Sequence, residues 1–271
     1  MFPEKIPGSS VVKNTVRAAF SGRYINTAAA ALMPVFAFYM IMLLASCLLL
    51  TGFKYSGLIS VAILILTAFF LGYPLFLGSV RYFWRLTDGI NEGPAEVFYY
   101  FSSLRLYKRA IKSALLLTFK FLTAFIPSML PYYITVLFSN AWIYRFLGTE
   151  IPLWVAGLAL LSAFLYYAGI FIGAVIFMRY YLFCAVVAMD DDLLIYEAAH
   201  ISTMISSRSI GAFAALIVSI LGWILLSLLI APMVYTAPFI MGCYAVHCRY
   251  AIVNYNMTLD FHRNSYEYEK E

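Results

Sequence analysis

Charge is what this sequence has least of: Asp, Glu, Lys and Arg supply only 11% of its 271 residues, against about 25% in an ordinary soluble domain. Hydrophobic residues make up 64%. A soluble core of this size cannot hide so much apolar surface, so lipid is the expected solvent. Cysteine is also sparse. Cys47, Cys184, Cys243 and Cys248 all sit in apolar surroundings, which argues against a disulfide framework and for small buried hydrophobes. Acidic residues are missing from every long apolar run, and a proton- or sodium-coupled carrier usually needs one there. No H-E-x-x-H, no Ser/His/Asp set and no paired carboxylates within a span occur. Neither an enzyme nor a cofactor is therefore expected. The first apolar stretch begins near Thr27, too late and too long for a signal-peptide core, so it is expected to remain as an anchor.

What is present is a series of apolar runs, uncharged except for Lys120 in the third, each exceeding the ~20 residues that cross a bilayer as a helix. They predict spans at about 27–50, 57–80, 113–139 and 151–178. Ser209 to Val246 is uncharged but too long for one span. Pro232 and Pro238 divide it into a fifth span at about 210–231 and a sixth at about 233–257. Gly72 and Pro74 predict a kink in the second span, while Gly169 and Gly173 form a small-x-x-x-small pair that permits close helix contact in the fourth. Trp223, mid-span behind Gly222, should pack on a neighbouring helix. The expected class is thus all-α: a polytopic membrane helix bundle with about six transmembrane helices plus cytoplasmic interfacial amphipathic helices. Its parts are a leader at 1–26, one membrane domain at 27–258 and a charged, mobile tail at 259–271.

The polar segments carry the remaining information. From Ser9 or Ser10, either a plausible N-cap, Val12, Val16, Ala19 and Phe20 fall on one side and Lys13, Asn14 and Arg17 elsewhere. That spacing predicts a helix lying on the bilayer surface. Asp88-Gly89 and Gly93-Pro94 mark turns. A helix at about 95–112 then interleaves Arg105, Lys108, Arg109 and Lys112 with aromatic residues. Such a mixture also suits nucleic acid, but between membrane spans it reads as an interfacial helix on anionic headgroups, so no nucleic-acid partner is expected. Asp190-Asp191-Asp192 is expected to cap the next helix; a linear triplet lacks the distributed oxygens of a calcium site. A docked helix at 193–208 comes next, with Leu194, Ala198, Ile201 and Ile205 as its apolar stripe and Tyr196, His200, Thr203 and Ser207 opposite. Glu197 and His200, spaced i and i+3, read as a helix-surface pair. Arg105, Lys108, Arg109, Lys112, Arg179, Glu197, His200 and Arg208 are thus candidates for a partner or lipid surface.

Lys120, His247 and Arg249 are candidates for an intramembrane polar site. Lys120 lies inside the third span and is a functional candidate by default; against that, its stem reaches the headgroups within about two turns. Cys243, His247 and Cys248 share a short stretch in which zinc or copper binding is conceivable, but with no fourth ligand in sight the packed-helix reading is preferred. Arg249 should emerge toward the same headgroups as Arg179. With six spans and an internal N-terminus, every one of the 18 Lys and Arg residues except Lys54, Arg145 and Lys120 falls on the inside. That bias places both termini in the cytoplasm.

The stretch Arg179-Tyr180, Asp190 to Asp192, Glu197-Ala198 with Ser202 and Met204, Gly222-Trp223 and Pro238-Phe239 resembles an uncharacterised bacterial six-span integral membrane protein family, domain of unknown function 975. The opening Val-Arg-Ala-Ala-Phe-Ser-Gly-Arg-Tyr from Val16 to Tyr24 is similar too. Two departures concern its surface: Ser207 stands where a Gly is usual, and most of the basic residues common in the Glu-Ala helix are missing. The resemblance implies a bacterial inner-membrane location and no established chemistry. Two classes of function stay open. One is a non-enzymatic scaffold, assembly or accessory subunit whose cytoplasmic helices bind other membrane subunits. The other is a small-solute transporter or channel, for which spans broken at Pro127, Pro131, Pro232 and Pro238 would be the support. The first is preferred.

Overall fold

The computed structural model describes residues 7–50, 55–90, 93–139 and 154–268. Its elements are all helical, and no strand occurs among the described residues. They run α1 (Ser9–Phe20), α2 (Tyr24–Leu49), α3 (Ser56–Thr67), a π turn (Ala68–Gly72), α4 (Tyr73–Thr87), a 3₁₀ segment (Pro94–Phe101), α5 (Leu104–Ser139), α6 (Trp154–Phe177), a 3₁₀ turn (Met178–Tyr180), α7 (Phe183–Met189), α8 (Ile195–Leu226) and α9 (Ile230–Tyr268). Among the described residues, five stretches are long and apolar enough to cross a membrane: Tyr24–Cys47, Ser56–Thr87, Leu104–Leu137, Leu160–Met189 and Ile195–Leu226. The protein is therefore an all-α, multi-pass membrane protein. Helix α9 covers the stretch expected as the sixth span. Its Phe239, Cys243 and Val246 are buried against other helices. Lys54 and Arg145, the two basic residues assigned to the outside, lie outside the described residues.

The chain forms two compact units: one from the chain up to Ala114 together with the chain from Leu182 on, the other Leu115–Tyr181. In the first, α2 packs along α3 and α4 through small residues. Ser60 Oγ donates to the Ala45 carbonyl at 2.9 Å, and Ser79 Oγ to the Ala30 carbonyl at 2.7 Å. Buried hydroxyls thus find backbone acceptors, as apolar surroundings require. Pro74 has no N–H to offer the Phe70 carbonyl four residues back. The helix widens into the π turn just there, and the Tyr107 hydroxyl donates to Phe70 O at 3.1 Å. This is the distortion expected at Gly72 and Pro74. Helix α4 closes at Gly89, φ +82°, with Gly89 N–H bonded to Leu86 O and Ile90 N–H to Arg85 O. That is a Schellman end, which needs the left-handed conformation glycine supplies at little cost.

Several boundaries differ from those expected. Helix α1 has the predicted periodicity, but Val12, Val16 and Phe20 are buried in a cluster with Phe83, Phe239 and Cys243. Its apolar side covers protein, not a bilayer surface. Gly8, not Ser9 or Ser10, occupies its N-cap position, and no side-chain cap bond forms there. The helix expected at 95–112 divides at Ser102–Ser103 into the 3₁₀ segment and the start of α5, which continues unbroken through Pro127 and Pro131. The docked helix at 193–208 and the fifth span are one helix, α8. Its buried stripe is Ala198, Ser202, Ile205 and Ser209, whereas Leu194 is exposed. The expected mobile tail is helical as far as Tyr268.

In the second unit, α6 lies on the later turns of α5. A Cβ on Gly169 would sit 2.7 Å from the Ser128 carbonyl oxygen, and one on Gly173 would sit 2.8 Å from a Phe125 ring carbon. The predicted small-residue contact is therefore present. Phe121–Phe177 and Tyr132–Tyr166 ring pairs, at 5.4 and 5.2 Å between centroids, continue the seam.

Candidate functional site

The site is assembled by a close approach between backbones. Gly78 on α4 leaves room for the 3₁₀ segment: an added Cβ would fall 2.0 Å from the Val97 carbonyl oxygen. With that segment seated, Glu96 faces the arginines of α4. Arg81 Nε lies 2.9 Å and Arg85 Nη1 3.1 Å from Glu96 Oε1. Arg81 Nη1 reaches both oxygens of Asp191, at 3.2 and 3.1 Å, and donates to the Ala188 carbonyl at 3.1 Å. Its guanidinium carbon stands 3.6 Å over the Tyr99 ring, within the range of a cation–π contact. The Tyr99 hydroxyl donates to Asp191 Oδ2 at 2.5 Å. The Arg81 side chain is only 12% exposed, so this network is a partly desolvated one in which each charge depends on its partner.

Burial, together with the Asp191 carboxylate accepting its proton, holds the Tyr99 phenol above the usual tyrosine range. Burial does the same for Tyr100, with the Asp191 charge adding to it. Both rings therefore stay protonated donors at physiological pH.

The acidic turn serves arginines rather than the following helix. Leu194 is the N-cap residue of α8, and no side chain caps it. Asp191 belongs to Arg81, and Asp192 pairs with Arg105 at 2.8 Å. Asp190 Oδ1 accepts the Asp192 N–H at 2.9 Å, a local turn bond. Guanidinium groups from α4 and α5 compete for these carboxylates better than free backbone N–H groups do, because the bond is charge-assisted on both sides. Arg109 ties the turn from beneath, donating to the Leu193 carbonyl at 2.5 Å and the Asp190 carbonyl at 2.6 Å.

The structure brings four of the candidate residues together. Arg105, Lys108, Arg109 and Lys112 line one wall of an open groove of about 710 Å³, with Asp191 to Tyr196 forming the other. Glu197, His200 and Arg208 are exposed on α8 and are not part of the groove lining. Arg179 is exposed in the second unit. Lys120, also in that unit, has its Nζ 5.7 Å from the centre of the Tyr180 ring. Of the other candidate intramembrane residues, His247 and Arg249 lie in the first unit. His247 is buried 5.4 Å from the Phe213 ring. Arg249 is paired with Asp88 at 2.8 Å and also donates to the Thr87 carbonyl. It therefore caps the C-terminal end of α4, where a cation complements the helix dipole. Cys243 and Cys248 are buried beside His247 in α9, and no group of three metal-ligating side chains comes together among the described residues. Trp223 packs on Phe239 at 5.1 Å, as its position required.

Arg81, Arg85, Glu96 and Tyr99 were not singled out from the sequence, and Asp191 was read only as part of a helix cap. A signal did exist: Arg81 and Arg85, spaced i and i+4, end an otherwise apolar helix and need carboxylates. Glu96 and the acidic triplet are among the few acids available. No family model, no curated protein and no solved structure matches this chain.

Proposed function

We propose that the protein is a non-enzymatic component of a bacterial inner-membrane assembly, a scaffold, assembly or accessory subunit, with both termini in the cytoplasm. The observation that carries this reading is the way its charges are spent. Arg81, Arg85, Arg105 and Arg249 are all matched to carboxylates of the same chain, so the polar cluster fixes a shape. Transport loses its main support from sequence, because α5 and α9 run continuously through Pro127, Pro131 and Pro238, and discontinuous helices are what frame many carrier sites. The exposed Tyr196, Glu197, His200 and Arg208 of α8 then form the surface through which a neighbouring subunit is met.

Affinity purification of the tagged, full-length chain in mild detergent tests this. A partner recovered in fixed ratio is expected, and Arg208→Glu should lower that ratio without unfolding the bundle. A chain recovered alone that moves a solute in proteoliposomes would overturn the reading.

A further inference from the structure

The groove beside α5 has a chemical asymmetry that its ion pairs do not use up. Arg105 is engaged with Asp192, and Arg109 with two backbone carbonyls. Lys108 and Lys112, one turn apart on the same face, are both exposed and have no hydrogen bond or ion pair among the described residues. The groove therefore presents two ammonium groups with no ion-pair partner of their own among the described residues, its carboxylates Asp191 and Asp192 being held by arginines. Its rim is apolar: Leu104 is 68% exposed and Leu194 64%. Leu104 also borders a second depression of about 610 Å³, lined by Leu66, Phe70, Leu71, Phe101 and Tyr107. The Tyr107 hydroxyl is spent on Phe70 O, which leaves that depression mostly hydrocarbon. Leu66, Phe70 and Leu71 belong to a membrane-crossing stretch, so it opens where acyl chains lie.

We propose that these two depressions, joined at Leu104, bind one anionic glycerophospholipid, with its phosphate between Lys108 and Lys112 and an acyl chain laid past Leu104 against Phe70. Two uncompensated lysines at a membrane boundary favour an anionic headgroup. Both volumes fall in the range of small-molecule sites, about 300–1,000 Å³. An acidic peptide would meet the same lysines but would gain nothing from the apolar continuation. The inference rests on the proposed placement of this end of α5 at the cytoplasmic leaflet.

Native mass spectrometry of the purified full-length chain tests it. The probes are phosphatidylglycerol and phosphatidylcholine with identical chains, and glycerol phosphate as a competitor. The wild-type chain should retain phosphatidylglycerol about tenfold better than phosphatidylcholine, and glycerol phosphate should not displace it. Lys108→Gln with Lys112→Gln should erase the headgroup preference, while Arg17→Gln, an exposed cation on α1 that does not line the groove, should leave it intact. Leu104→Asn reads the chain-binding half separately and should lower retention of both lipids. An unchanged preference in the double variant, or displacement by glycerol phosphate, would overturn the proposal. No partner is present in the assay, so its failure would leave the partner-binding reading standing, and the reverse holds as well.

Discussion

In the unit that contains α4, a backbone rides directly on a glycine and carries a carboxylate into place: Gly78 admits Val97, and Glu96 then meets Arg81 and Arg85. Within Leu115–Tyr181 the glycines also admit a neighbour, but the groups brought together there are rings and methylenes: Phe121, Phe125, Phe177, Tyr132 and Tyr166. One unit thus converts close approach into charge pairing, while in the other the glycines admit the Phe125 ring, the Met129 sulfur and Ser128. The difference comes from solvent. Two apolar helices in hydrocarbon gain nothing from burying more hydrocarbon, so tight packing at small residues is what holds them. Where α4, α5 and the 190–192 turn converge, polar groups outnumber what the backbone can satisfy, and an interlocked set of ion pairs takes up most of them, with Arg109 Nε left buried and unbonded.

The largest effect that would break this comparison lies at Arg81. Arg81→Met leaves Glu96 without one of its two arginines, strands the Asp191 carboxylate beside Tyr99, and removes the cation from over that ring. The expected cost is about 3–5 kcal/mol, read as a drop in the thermal midpoint of the detergent-solubilised protein. Arg105→Met removes a pair whose side chains are 79% and 87% exposed and should cost under about 1 kcal/mol. Equal costs at the two positions would mean the network is no more than surface charge.

Glycine replacements sharpen the contrast at intermediate size. Gly78→Ala puts a methyl group against the Val97 backbone, which has no rotamer to yield. The 3₁₀ segment must lift, at a cost of about 3 kcal/mol or more. Gly173→Ala meets the Phe125 ring and the Ser128 hydroxyl, side-chain ends that can turn aside, so about 1 kcal/mol is expected. Unfolding midpoints of the two variants give the ordering. If Gly173→Ala were the worse of the pair, the lipid-type seam would be the more rigid one.

How much of the fold was readable from the chain depends on which interaction fixed each feature. The apolar runs, the Gly169/Gly173 contact, the turn at Asp88-Gly89 and the distortion at Gly72 and Pro74 all stem from local composition, and the structure carries each of them. The basic cluster at 105–112 was legible because four cations crowd two turns of helix. Helix ends were not: α8 runs on where a polar helix and a span were read separately, because Ala198, Ser202 and Ser209 bury well against other helices although nothing in their hydropathy announces it. The fate of Asp190 to Asp192 was hidden for a different reason. Capping is a local rule, whereas Arg81 lies about a hundred residues away in sequence and is delivered by packing around Gly78. Long-range pairing of charges has no periodicity to detect, so the centre of the site emerged only with the fold.

The smallest expected effect concerns Lys120, a cation of the compact aromatic unit that lies inside a predicted span. Its Nζ reaches the Tyr180 ring at 5.7 Å, beside Arg179 at the end of α6. A long stem carrying its charge to the end of a span is how lysine lowers its cost in a membrane. The ring contact is worth about 0.5–1 kcal/mol at an accessible site. Lys120→Met gives up that contact but also removes a charge from a span that lipid solvates poorly, and the two terms oppose each other. The thermal midpoint should therefore move by the equivalent of less than about 1 kcal/mol, and recovery of any bound partner should be unchanged. A loss several times larger would mean that Lys120 meets a partner deep in the membrane, and the unit around it would then have to be read as carrying function and not only packing.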